Sequence, residues 1–368
     1  MIAQEPRILI VTDKCDLSET QWILGLHEAG ARVAVACNPA GRYFGDLDAA
    51  GIVRARIALT GRFDKTGTRQ IQQVIDDERI DVMHCFNPRA LACGLRAARG
   101  RKVAIAAYRG VIGNIDYLNP ESWITFLHPR LNRIVCVSDA VKRYFLGLSF
   151  LWMRLPERKV VRIYKGHKLE WYEGPPADLS AFGFPQDAFV FCCTGRDRPG
   201  KGFRTLIEAM DHIPDDMPVY LLLVGKLDEN AELTDRIRAS RHADRIKLAG
   251  FRTDAPQVAA ACDAMVLPSE SEGLPRVVIE AMAYERPVVV TEAGGMPELV
   301  DDGVEGYVVP VRNAKALADA FIRLASDRDA ATAMGQRGRE RIGREFTNEA
   351  TVRETRVLYQ DMLDELSL

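Results

Sequence analysis

Short apolar runs alternate with amphipathic stretches along most of this chain, and that alternation argues for parallel α/β structure. Arg7–Thr12 reads as a first strand, Ser18–Ala29 as a helix ended by Gly30, and Arg32–Cys37 as a second strand. Asp81–Cys85, Val103–Ala107 and Arg133–Val137 repeat the strand signal. Around Glu170–Ser180 the composition changes, and Gly174-Pro-Pro-Ala-Asp178 reads as a linker. The alternation then restarts. Strands are expected at Phe189–Thr194, Val219–Val224, Ile246–Ala249, Ala264–Leu267, Pro287–Thr291 and Gly306–Val309. A length of 368 residues accommodates two domains. Two doubly wound units facing a central cleft are therefore expected, with ligands at the carboxyl ends of the strands.

Charge and cysteine usage narrow the function classes. Lys and Arg total 49 against 51 Asp and Glu, a net charge of −2, so the whole chain carries no nucleic-acid footprint. The eight cysteines form no C-x-x-C pair, and most lie in apolar runs such as Val135-Cys-Val and Phe191-Cys-Cys-Thr. They read as reduced core residues of a cytoplasmic protein, not as a disulfide framework or zinc site. The first ten residues run straight into a strand, with no signal peptide visible. No apolar stretch is long enough to span a bilayer.

Two motifs carry chemistry. Pro268-Ser-Glu-Ser-Glu-Gly-Leu-Pro-Arg-Val-Val-Ile-Glu-Ala-Met-Ala283 holds Glu272 and Glu280, eight positions apart. Pro275 suits the first helical turn, so the N–H groups of Gly273 and Leu274 would point out of a helix N-terminus, where anions bind. Glu280 sits among apolar residues and needs hydrogen-bond donors, which a sugar or ribose diol would supply. The second motif, Gly195-Arg-Asp-Arg-Pro-Gly-Lys-Gly202, follows the expected strand Phe189–Thr194. It fits a Walker A loop except at Gly202, where the magnesium-binding hydroxyl is missing, and no Walker B partner stands out. Arg196 and Lys201 read better as two fixed cations beside a Gly-rich turn, suited to a diphosphate. The alternative is a solvated basic loop before a helix.

These motifs, with Pro287-Val-Val-Val-Thr-x-x-Gly294-Gly-x-Pro-Glu298 and Asp302-Gly-x-x-Gly306, resemble retaining glycosyltransferases of family 4 (glycosyl transferases group 1). The match is strong over about 185–345. It is looser in the first half, through Leu26-His-Glu-Ala-Gly-Ala-Arg-Val33, Asp81-Val-Met-His84 and Ile134-Val-Cys-Val-Ser-Asp-Ala-Val-Lys142. The resemblance implies the GT-B architecture of two Rossmann-like domains: 1–172 on the acceptor side, 173–347 on the donor side, and a helix at 348–368 packing back on the first. It implies that Arg196 and Lys201 clamp the donor diphosphate and stabilise it as leaving group. Glu280 would accept hydrogen bonds from the ribose. Glu272, with the N–H groups of Gly273 and Leu274, would hold the donor sugar and phosphate. Phe251 or Arg252 would line the base pocket. The donor would be a nucleotide-diphosphate-sugar, with no metal or cofactor required. The acceptor would be a glycan or a lipid-linked molecule of cell-envelope polysaccharide or lipopolysaccharide synthesis. A non-catalytic nucleotide-sugar-binding protein of this fold, and an epimerase or phosphorylase of this fold, stay open. A dinucleotide dehydrogenase does not fit, because no G-x-G-x-x-G follows the first strand.

Several residues lie outside that pattern. Where the family often has His-Gly, this chain has Tyr108-Arg109-Gly110. Arg109 would read an anionic group or pair with a loop acid such as Asp116. Lys165-Gly-His-Lys168 replaces the family's Asn-Gly-Val-Asp and is expected near the cleft. His84 ends a strand and is either a cleft residue or a satisfied structural one. Asp13 and Asp16 either touch the acceptor or cap the next helix, as Ser18 also would. Asp46-Leu-Asp48 matches the short motif of metal-dependent transferases, but a pair of acids at a helix start or in a loop is the favoured reading. The basic and aromatic residues of 141–162 would form either a helix lying in a membrane interface or a core helix and loop.

Overall fold

The computed structural model describes residues 5–367. The chain divides into two compact units: Met1–His167 with Phe346–Leu368, and Lys168–Glu345. The division falls at His167, and Gly166 and His167 are bonded into the first unit. Gly166 N donates to Thr351 Oγ1 at 2.9 Å, and His167 N to Phe346 O at 2.8 Å. The expected linker is instead part of the second unit. Ala177 N donates to Gln257 O at 3.0 Å, and the Tyr172 ring packs edge-on against Tyr284 at 5.8 Å.

In the first unit the strands are β1 (Arg7–Val11), β2 (Arg32–Cys37), β3 (Val53–Arg56), β4 (Val82–Cys85), β5 (Ala104–Arg109) and β6 (Arg133–Cys136). A small hairpin, β7 (Ser149–Phe150) and β8 (Met153–Arg154), precedes β9 (Val160–Arg162). The main sheet is parallel, in the order β3-β2-β1-β4-β5-β6-β9. The second unit holds β10 (Phe189–Thr194), β11 (Val219–Val224), β12 (Ile246–Gly250), β13 (Ala264–Leu267), β14 (Val288–Thr291) and β15 (Gly306–Val309). They are also parallel, in the order β12-β11-β10-β13-β14-β15. In each unit the order reverses beside the first strand, which defines a doubly wound sheet with one switch point.

Central strands are buried on both faces and read as continuous apolar runs, as parallel sheets require. The helix Asn348–Ser367 belongs to the first unit: Trp22 Nε1 donates to Thr355 Oγ1 at 2.9 Å, and Tyr359 is fully buried. All eight cysteines are free thiols, and all but Cys15 are buried. Among the described residues, no helix is long and apolar enough to cross a membrane.

The basic–aromatic stretch is not one interfacial helix. A helix at Asp139–Gly147 buries Val141 and Phe145 in the core, and the chain then turns into the β7–β8 hairpin. Asp46 and Asp48 lie in the helix Phe44–Ala49, and Asp48 pairs with Arg56 at 3.1 Å.

Candidate functional site

The two chemistry-bearing loops follow β10 and β13, the strands that flank the switch point of the second unit. They are fastened to each other. Glu270 N donates to Gly200 O at 2.7 Å. Gly202 has φ +73°, and a Cβ there would lie 1.9 Å from Pro268 O. No side chain fits at that position, so the Ser or Thr of a Walker A loop is sterically excluded.

Lys201 Nζ donates to Glu272 Oε1 at 2.5 Å, with both side chains half-buried or less exposed. A third loop, after β14, supports Glu272 from behind. Gly294 has φ +59°, and a Cβ there would lie 1.8 Å from Glu272 O, while Gly295 N donates to that oxygen at 3.2 Å. The next helix is Arg276–Ala283, with Pro275 as its N-cap instead of its first residue. Among the described residues, the backbone N–H groups of Gly273 and Leu274 donate to nothing. Two free donors therefore stand at a positive helix end, next to a fixed ammonium and a carboxylate.

Arg196 is exposed and forms no ion pair among the described residues. The same holds for Arg198, which the sequence reading passed over although it lies in the same loop. A cavity of about 740 Å³ beside the loop is lined by Arg198, Gly200, Thr205, Asn230, Glu270 and Arg312. The Ser269 hydroxyl is fully buried and lacks a partner among the described residues.

Glu280 is buried as expected, but its donor is internal: Arg276 Nε, one turn earlier, lies 2.9 Å from Oε1. Its burial therefore does not require a ligand. Phe251 and Arg252 follow β12, the outer strand two positions from β10. Phe251 is 67% exposed, and Arg252 is bound to Asp254 at 2.7 Å.

The first unit corrects three expectations. His84 is fully buried, with Nδ1 2.7 Å from the Tyr359 hydroxyl and its ring packed on Trp22 and Phe86. Burial pushes its pKa down to about 3, so it is a structural residue and not an acid–base group of a cleft. Arg109 does not pair with Asp116 among the described residues. Its guanidinium donates to Val111 O at 2.9 Å and to Gly113 O, over the Phe126 ring, and so holds its own loop. Lys165 lies within the unit, bonded to Asp16 at 2.8 Å and Glu19 at 3.2 Å over the Tyr108 ring. Burial opposes its charge, but Tyr108, Glu19 and Asp16 outweigh that and hold its pKa above the usual lysine value.

Asp16 caps the helix Leu17–Glu28 in a capping box with Glu19, whereas the Ser18 hydroxyl is buried and caps nothing. Asp13 accepts from Asn38 Nδ2 at 3.1 Å and lines a cavity of about 580 Å³ with Lys14, Arg62, Asn87 and Arg89. That cavity lies at the switch point of the first sheet, beyond β1 and β4.

Two parallel, doubly wound sheets, one in each unit, are the architecture of the GT-B class of glycosyltransferases. Two family models cover the units in turn: Glycosyltransferase Family 4 matches residues 20–171, and Glycosyl transferases group 1 matches 177–341. The chain belongs to the glycosyltransferases of family 4 type. Among curated relatives, the lipopolysaccharide core biosynthesis glycosyltransferase LpsE of Rhizobium meliloti is 33% identical over 47% of this chain and 50% of its own length. The N-acetyl-alpha-D-glucosaminyl L-malate synthase of Bacillus anthracis is 29% identical over 50% of this chain and 48% of its own length. The matched region thus spans about half the length of these relatives. Anabaena Alr3699/HepE, solved with UDP, has the same fold at a TM-score of 0.75 and 22% identity, covering 96% of this chain and 100% of that one. A glycosyltransferase of Rickettsia africae ESF-5 gives 0.78 at 19% identity, covering 98% and 99%.

Proposed function

We propose that this protein transfers a sugar from a nucleotide-diphosphate-sugar to a glycan or lipid-linked acceptor, with retention at the anomeric carbon. The product would belong to a cell-envelope polysaccharide or lipopolysaccharide. The observation that carries the reading is the Lys201–Glu272 pair beside the free N–H groups of Gly273 and Leu274. An ammonium has three donors, so Lys201 can keep Glu272 and still reach a phosphate oxygen. In this reading the diphosphate departs with negative charge developing on it, and Lys201, Arg196 and the two N–H groups stabilise that charge. Glu272, held from behind by Gly294 and Gly295, positions the sugar, and Glu280 takes the ribose. The fixed cations carry the leaving group without a metal.

Retention rests on the family resemblance. The envelope product rests on relatives such as LpsE and LpsB of Rhizobium meliloti, both named for lipopolysaccharide core biosynthesis. UDP as the nucleotide is suggested by the HepE complexes. Eight free thiols fit a reducing, cytoplasmic setting.

A thermal-shift screen of UDP-, GDP- and ADP-sugars tests the donor, because a ligand bound only by the folded state raises the melting temperature. One class is expected to raise it, and Lys201→Ala to remove that rise while the free protein still melts cooperatively. Glu272→Ala is expected to abolish transfer. Full activity in either variant would show that the donor is held elsewhere.

A further inference from the structure

The β7–β8 hairpin takes no part in the site described above. Ser149 pairs with Arg154 and Phe150 with Met153, which leaves Leu151-Trp152 as a two-residue loop. Trp152 is 85% exposed, Leu151 72% and Phe150 37%. Leu151 has φ +54°, whereas Trp152 is not among the residues of positive φ. A positive φ at the first loop position alone is geometry that favours glycine. The turn itself therefore gives no reason for leucine at its tip, nor for tryptophan beside it in water.

Between residues 143 and 158 the chain carries three exposed arginines and one exposed acid, Glu157. Arg143 near the end of the preceding helix, Arg154 on β8 and Arg158 just beyond are all exposed. Arg154 forms no ion pair among the described residues, whereas Arg158 acts electrostatically on Glu365 of the helix Asn348–Ser367. The base of the hairpin is fixed. Phe145 is fully buried before it, and Lys159 Nζ donates to His128 O at 3.2 Å behind it. A hairpin anchored at its base thus presents an apolar tip, with Arg154 on its second strand. Tryptophan favours the boundary between headgroups and acyl chains, and arginine pairs with phosphate. A second copy of the chain is a poor occupant, since a two-residue tip is far below the roughly 1,200 Å² that a stable interface buries.

We propose that the Leu151-Trp152 tip inserts into the interface of an anionic lipid bilayer, with Arg154 and Arg158 on lipid phosphates. The membrane contact is made by a hairpin instead of an amphipathic helix. It does not depend on which sugar is transferred or on transfer at all, so it stands or falls separately from the proposed reaction.

The test is co-sedimentation of the full chain with vesicles of phosphatidylcholine alone or mixed with phosphatidylglycerol. Wild type is expected on the mixed vesicles, with binding that weakens as salt rises. Leu151→Ser with Trp152→Ser, and separately Arg154→Glu with Arg158→Glu, should each weaken it on the order of tenfold. Leu151→Gly separates folding from binding: it relieves the turn, so the melting temperature should hold or rise while lipid binding falls. Tryptophan emission should be quenched by brominated lipid in wild type and much less in Trp152→Ser. Wild type left in solution with anionic vesicles would overturn the proposal. So would undiminished binding by the Leu151/Trp152 variant, or a lipid-free dimer that this variant dissolves.

Discussion

Burial with no counter-charge keeps His84 neutral, its pKa pushed down to about 3, while an unfolded histidine titrates near 6.5. The folded state therefore binds fewer protons than the unfolded one across that window. Stability from this residue is present above about pH 6.5 and is lost as pH falls toward the folded value, by about 1.4 kcal/mol per pH unit. Urea unfolding of wild type and His84→Gln at pH 7, 6 and 5 measures the term, since other groups cancel in the difference. Wild type should lose stability more steeply by about one proton. Equal slopes would mean that the folded protein already holds the proton. The same logic separates His84 from Lys201. The histidine is buried with Nε2 lacking a partner, whereas the lysine stands half-exposed with a carboxylate 2.5 Å away and donors to spare.

At the scale of elements, the turn after β10 depends on close backbone contact. A methyl at Gly202 would overlap Pro268 O and would also sit at φ +73°. The dihedral alone costs on the order of 1–3 kcal/mol, and the overlap forces the two loops apart. Gly202→Ala should therefore abolish the nucleotide-induced thermal shift while β10 and β13, buried on both faces, keep the sheet intact. An unchanged shift would mean that the loops need not touch for the donor to bind.

Elements of this buried kind were legible in the sequence. Phe189–Thr194, Val219–Val224 and Ala264–Leu267 were expected and found with the same ends. The strands β3 and β9 were not expected. Val53-Arg-Ala-Arg56 is a half-exposed edge with two arginines, and Val160–Arg162 is three residues long at the other edge. Edge strands lose the apolar run that marks a central one. The residue types of the turn after β10 were legible too, because glycines and cations cluster locally. The Lys201–Glu272 bond was not, since its partners are 71 residues apart and meet only through the strand order. Nor was the fate of Arg109, whose partners are carbonyls of its own loop.

For the whole molecule, continuity of chain decides which part can stand alone. The second unit is one segment, Lys168–Glu345, with its own core in which Phe191 stacks on Phe321 at 4.1 Å. The first unit needs two segments. Its closing helix buries Tyr359 and Met362 and gives Trp22 and His84 their polar partners. Removing that helix uncovers several aromatic side chains at once. Truncating one buried aromatic costs about 3–5 kcal/mol, so the loss approaches the whole stability of about 5–15 kcal/mol of an ordinary domain. Residues 168–345 made alone should therefore melt cooperatively and keep the thermal shift with the donor nucleotide. Residues 1–345 should keep that same transition while the first unit shows no protection from hydrogen exchange. A folded first unit in the truncated chain would show that the helix is dispensable. A second unit that binds no nucleotide alone would mean that the donor needs groups beyond the Lys201–Glu272 turn.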